Sequence, residues 1–222
     1  MNMTKGVHIV IADDNTLYHG AVHGAFADRQ ASTEISQCEN FAALRKALTK
    51  GQPASVVLLE VSITGMGGLR GILALRSIAP NVPLVMVSEE ADAKFINRAI
   101  ELGANGFVAK TASASQLRKA VDTVIAGGSV LVPNIDLSVD EDDDARRIIS
   151  QFKSLTRQQA RVLGYLGEGL LNKQIAYELT VSEATVKAHV SAILQKLSVD
   201  SRTQAVATIA RLSPSASIYA SN

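Results

Sequence analysis

Five short apolar runs, Val7–Ile11, Thr33–Cys38, Val56–Leu59, Leu84–Val87 and Gly106–Ala109, alternate with helical stretches through the N-terminal part of the chain. Several are nearly all apolar, the pattern of strands buried on both faces. Between them, Leu17–Ala27, Phe41–Lys50, Leu69–Ile78, Asp92–Leu102 and Ser115–Ala126 read as helices. The last carries Leu117, Ala120, Val121, Val124 and Ile125 on one face at the helical period. Gly51, Gly103 and Gly127–Gly128 fall where such helices should stop. The alternation predicts an α/β, doubly wound, five-stranded parallel sheet with helices on both faces.

The pattern changes after residue 131. The segment 132–153 reads as a linker, with Pro133 and the acidic run Asp140–Asp144, leading into a short helix at Ala145–Phe152. A run of like charges usually marks a solvated segment. Residues 154–213 read as an all-α unit of four helices, Thr156–Leu166, Asn172–Leu179, Glu183–Leu197 and Arg202–Leu212. Ser-rich residues 214–222, headed by Pro214, form a flexible tail. The formal charge of +1 hides an acidic middle and a basic C-terminal part. That basicity is compatible with nucleic acid and too modest to demand it.

In the C-terminal unit, Asn172–Leu179 and Glu183–Leu197 flank a three-residue turn, Thr180-Val181-Ser182. Two short helices about a tight turn make a helix-turn-helix. Ser182 is placed to cap the second helix and Asn172 the first. Val186, Val190, Ile193, Leu194 and Leu197 share one face of the second helix, which must be core. Ala184, Ala188, Ser191 and Gln195 lie opposite, with Lys187 at one edge and Thr185, His189 and Lys196 at the other. Small residues let such a helix sit deep in a major groove, and flanking cations and hydroxyls take phosphates. Lys187 suits a guanine edge, Ala188 a thymine methyl, and Ser191 and Gln195 hydrogen bonds to bases. Lys173 suits a phosphate at the start of the preceding helix. Periodicity alone is equally satisfied by a helical bundle with a polar face.

The wording of the segment is more specific. Leu155-Thr156-Arg157, Gly169 through Ala176, Val181 through His189 and Lys196-Leu197-Ser198-Val199 closely resemble the LuxR-type helix-turn-helix domain, without a gap. The resemblance implies a four-helix domain that binds double-stranded promoter DNA as a homodimer, with the last helix pairing the two copies. Ser191 departs from the longer polar or basic residue common at its position.

In the N-terminal unit, Asp13-Asp14 follows the first strand, Glu60 ends the third, Ser88 the fourth and Lys110 the fifth. Strand C-termini line the binding crevice of a parallel sheet. Singly, Asp14 or Ser88 can be a helix cap and Lys110 a surface lysine. Together at one sheet edge, they suit a divalent cation beside an anionic group. Over residues 6–128 the pattern resembles the CheY-like receiver domain of two-component response regulators, and the whole chain resembles the NarL/FixJ family. That resemblance makes Asp13 and Asp14 the acid pair, position 60 the phosphoacceptor, Ser88 the switch hydroxyl, Phe107 the switch aromatic and Lys110 the conserved lysine.

Glu60 is the departure, because the family uses Asp there. One more methylene moves the carboxylate out by about 1.5 Å, on standard bond dimensions. In-line phosphoryl transfer tolerates that badly. The next loop also differs, reading Ile63-Thr64-Gly65-Met66-Gly67-Gly68 where relatives read Met-Pro-Gly-Met-Asp-Gly. Three readings stay open: Glu60 mimics a phosphorylated aspartate by reaching toward Ser88 and Lys110, the receiver answers to a ligand or protein, or Glu60 is still phosphorylated slowly. No cofactor is required. Mg2+ would be held by Asp14, Glu60 and a backbone carbonyl near Ser62.

Other residues carry less. His8 reads as a satisfied residue inside the first strand, and His19 and His23 as surface residues without a third ligand nearby. Cys38, the only cysteine, reads as packing and fits a reducing compartment. No run approaches the roughly 20 apolar residues of a membrane span, and Met1–Gly6 lacks a signal-peptide core. The expectation is a cytoplasmic, sequence-specific transcription regulator without catalytic turnover. Phosphorylation would be dispensable, and a sensor kinase or other regulatory protein would be the second partner. The rival is a protein-interaction or ligand-sensing pseudo-receiver with weak DNA binding.

Overall fold

The structure is a computed structural model that describes residues 6–65, 68–89, 92–130 and 143–210. The expected linker up to Asp142, the tail beyond Ala210 and the loop residues Met66 and Gly67 lie outside the described residues.

Strands β1 (Val7–Ala12), β2 (Thr33–Cys38), β3 (Val56–Glu60), β4 (Leu84–Ser88) and β5 (Gly106–Ala109) form one parallel sheet in the order β2-β1-β3-β4-β5. The inner strands β3 and β4 are buried along their whole length, as the apolar run ahead of Glu60 and Ser88 leads one to expect. Helices α1 (Thr16–Ala25) and α5 (Ala114–Ile125) cover one face. Helices α2 (Phe41–Lys50), α3 (Gly68–Ile78) and α4 (Ala93–Glu101) cover the other. Side-chain caps set where the helices begin. Asn15 Oδ1 accepts from Leu17 N, Asn40 Oδ1 from Ala43 N and Asp92 Oδ1 from Phe95 N. Neither Asp14 nor Ser88 is therefore a cap. After α5 the chain turns back, and Val130 pairs with the outer edge of β5, exchanging hydrogen bonds with Phe107 N and Asn105 O.

The second unit begins earlier than 154. Helix α6 (Asp143–Lys153) buries Ala145, Ile148, Ile149 and Phe152 and packs on α9 (Glu183–Leu197), so its apolar stripe belongs to the helical core. It is followed by α7 (Arg157–Gly167), α8 (Asn172–Leu179), α9 and α10 (Arg202–Ala210). Thr156 and Gln159 close a capping box on α7. Ser182 caps α9 as expected, its Oγ accepting from Thr185 N at 3.1 Å. Asn172 does not cap α8: the residue before it, Leu171, takes the cap position and donates its N–H to Gln174 Oε1. Thr180 and Ser198 end α8 and α9 in the left-handed region, both at φ 54°.

The two units are docked. Helix α3 packs along α7 and touches α10. Gly164 of α7 faces Ala74 of α3, and a Cβ there would sit in ordinary contact with the Ala74 methyl, at 3.6 Å. At the rim, Arg45 of α2 donates to both carboxylate oxygens of Glu168, at 2.9 and 2.8 Å, with its guanidinium 5.1 Å from the Tyr165 ring centroid. Burial raises the Glu168 pKa and the Arg45 charge pulls it back. A second ion pair, Lys153 with Glu101 at 3.3 Å, is solvated and weak.

Candidate functional site

Two sites emerge, one in each unit. The first lies at the C-terminal ends of β1, β3, β4 and β5, where Asp13, Glu60, Ser88 and Lys110 converge as the strand ends predict. Lys110 Nζ stands between two buried carboxylates, 2.5 Å from Glu60 Oε2 and 2.9 Å from Asp13 Oδ2. The other oxygen of Glu60 accepts from Ser62 N at 3.2 Å and from the Ser62 hydroxyl at 3.0 Å. Asp13 Oδ1 accepts from Asn15 N at 2.7 Å. Each acid is thus tied to a donor from its own strand-end loop and to the shared ammonium.

Burial raises the Glu60 pKa, and the Lys110 charge and the Ser62 N–H pull it back. For Lys110, burial works against the charge, but the Glu60 and Asp13 carboxylates outweigh it and hold its pKa above the ordinary value. Tyr18, which sequence reasoning missed, closes the pocket with its ring 5.4 Å from Lys110 Nζ. Burial pushes its phenol pKa well up, with Asp13 and Glu60 adding to the rise.

The expected pocket residues divide as follows. Ser88 is buried at the end of β4, and its carbonyl accepts from Lys110 N at 2.8 Å. Its hydroxyl is not among the hydrogen-bond partners of Glu60, so of the two expected targets the glutamate meets only Lys110. Phe107 is buried in the sheet core, 2% exposed. Asp14 turns outward and accepts from the Thr64 hydroxyl at 2.9 Å. Asp14 and Glu60, the two expected Mg2+ acids, are engaged with different partners, Thr64 and Lys110. His19 is buried, 3% exposed, and is not the surface residue expected, whereas exposed His23 pairs with Gln37.

The second site is the outer face of α9. Ala184, Thr185, Lys187, Ala188, Ser191 and Gln195 are all exposed, and His189 is half-buried. The docked N-terminal unit therefore leaves this face open. Lys173 is exposed on α8. Two expected phosphate or base contacts are already engaged. Lys187 pairs with Glu183 one turn earlier at 3.2 Å, a solvated pair that a phosphate can displace. Lys196 turns inward, donating to Ser154 O at 2.7 Å and Gln159 Oε1 at 2.9 Å, and so ties the end of α9 to the start of α7. Lys187→Ala is expected to cost DNA affinity about 1–3 kcal/mol, with unchanged stability. Lys196→Ala is expected to lower the unfolding midpoint and change affinity less. Parallel urea titrations and fluorescence anisotropy on duplex DNA check both, and the reverse pattern would contradict these roles.

Residues 9–122 match the response regulator receiver domain family, and residues 153–209 match the luxR family of bacterial regulatory proteins. The chain is 36% identical over 206 residues to the glycerol metabolism activator of Pseudomonas putida, covering 89% of this chain and 92% of that one. It is 31% identical over 208 residues to the transcriptional regulatory protein LnrK of Bacillus subtilis, covering 90% and 94%. Among solved structures, the RcsB response regulator of Salmonella typhimurium superposes with a TM-score of 0.54 at 17% identity, covering 93% of this chain and 99% of that one. RcsB of Salmonella enterica serovar Typhimurium bound to a promoter gives 0.55 at 19% identity, covering 94% and 100%. At these identities the two structures bear on the fold alone.

Proposed function

This chain belongs to the response regulator family, as a transcription regulator with a receiver and a LuxR-type DNA-binding domain, and from that premise we propose that it reads promoter DNA as a homodimer without waiting for phosphorylation. The observation that carries the reading is the Glu60 carboxylate, held at one oxygen by Lys110 and at the other by Ser62. A phosphorylated aspartate would set its negative charge further from the backbone than a carboxylate does. The longer glutamate side chain also carries its charge outward, to the ammonium that an aspartyl phosphate would otherwise engage. Its partners are already in place, so the pocket needs neither a phosphoryl donor nor Mg2+ to keep that charge satisfied.

Promoter binding is supported by the exposed, small-residue face of α9 and by the Salmonella RcsB chain of like fold, which was solved on promoter DNA. The regulator works in the bacterial cytoplasm and carries out no turnover. The rival, an interaction module with weak DNA binding, draws support from Lys196 being turned inward.

Incubation with acetyl phosphate and Mg2+ is expected to leave the intact mass unchanged. An adduct of about 80 Da, the mass of a phosphoryl group, that disappears in Glu60→Ala would overturn phosphorylation independence. Glu60→Ala is expected to weaken both dimerisation and DNA binding, seen by gel filtration and anisotropy. Unchanged behaviour removes the mimic.

A further inference from the structure

An open cleft runs between the two domains at the N-terminal end of α9. It is lined by Lys50, the last residue of α2, and by Tyr177, Glu178, Thr180, Val181 and Ser182 of the helix-turn-helix. Lys50 is exposed, as is Lys46 one turn earlier, and neither has an ion-pair partner among the described residues. Across the cleft Tyr177 is 85% exposed, a large aromatic side chain left without burial. Docking fixes the place of Lys50, because Arg45 on the same helix grips Glu168 with two hydrogen bonds.

We propose that the docked receiver supplies part of the DNA-binding surface, with Lys50 taking a backbone phosphate of the duplex that α9 reads. The inference rests on the DNA-binding reading above. A helix about 10–12 Å across fills a major groove about 12 Å wide. The phosphate rows on either side therefore run against whatever flanks the helix. At the start of α9 the flanking groups are the Ser182 and Tyr177 hydroxyls from one domain and the Lys50 ammonium from the other. Lysine, a compact charge on a flexible stem, suits a phosphate and needs no fixed fork geometry. Hydroxyls of Ser and Tyr are regular phosphate donors. Glu178, in the same cleft, opposes the contact and sets a ceiling on it. The contact carries no sequence information, so it adds affinity to every site and couples that affinity to docking.

The test uses the full chain and a fluorescein-labelled duplex of mixed sequence, titrated over a range of KCl. Lys50→Ala is expected to weaken binding several-fold at low salt. It should also reduce the slope of log K against log salt by about 0.9, the value for one lost phosphate contact. Glu178→Gln should strengthen binding. In an Arg45→Glu background, which sets two carboxylates against each other at the docking rim and weakens docking, the effect of Lys50→Ala should shrink. Unchanged affinity and slope in Lys50→Ala, while Lys187→Ala still weakens binding, would overturn the receiver's contact and leave the DNA reading intact. An effect of Lys50→Ala that persists undiminished in Arg45→Glu would overturn the dependence on docking. A wild-type chain that binds no duplex at low salt would overturn the DNA reading itself. Both lysines are exposed, and circular dichroism is the check that the variants fold.

Discussion

Lys110→Met is expected to lower receiver stability by about 3–5 kcal/mol near neutral pH, the range for removing one member of a buried pair. The loss should shrink on acidification toward about pH 5, as the stranded Glu60 takes up a proton. In the wild type, Asp13 and Glu60 are both buried and share the one ammonium at 2.9 and 2.5 Å. Without it, two neighbouring carboxylates cannot both stay ionised. Glu60, whose pKa burial already raises, moves further up. A group with a raised folded pKa stabilises the fold below its unfolded pKa and loses that contribution as pH rises through the folded one. The variant should therefore recover stability in acid, and the wild type should show a milder trend of the same sign. Urea denaturation at the two pH values measures it. A deficit of equal size at both, or none at neutral pH, would contradict the shared-ammonium account.

Phe152→Ala is expected to destabilise the helical domain by about 3–5 kcal/mol, as for other buried aromatic truncations. Lys153→Ala, next to it and solvated, should cost no more than about 1 kcal/mol. Phe152 is 3% exposed and lines a small cavity together with α7 residues and the receiver residues Leu73 and Ala74. Denaturant melts of the two variants, with limited proteolysis to report on α6, separate the outcomes. Equal and mild effects would mean that α6 is a tether and not part of the core.

That second result concerns a place where the sequence was read too simply. The acidic run from Asp140 dominates its neighbourhood and suggests a linker, yet Ala145, Ile148, Ile149 and Phe152 recur at helical spacing and announce a buried face. The sheet was easier, because β3 and β4 are apolar up to their last residues, Glu60 and Ser88, and chain reversal at helix ends is marked by glycine. The pocket was legible as far as strand ends carry it: Asp13, Glu60, Ser88 and Lys110 stand where a parallel sheet must put them. Ser62 was not assigned its role, because its hydroxyl matters only once the glutamate folds back upon its own loop. Tyr18 was overlooked although Tyr18, Val22 and Ala25 share the inward face of α1. The inward turn of Lys196 depends on where α9 ends relative to α7, which spacing along one helix does not encode.

The return of the chain at Val130 has a consequence for solubility. An outermost strand presents unpaired amide groups to any passing chain and invites intermolecular β-pairing. Here Val130 occupies that side of β5, satisfying Phe107 N–H, and Gly106 makes room for it, since a Cβ would come within 2.6 Å of the Val130 oxygen. The backbone immediately after α5 thus shields the terminal strand from self-association, so a side chain at position 106 would displace the shield and leave a template for aggregation.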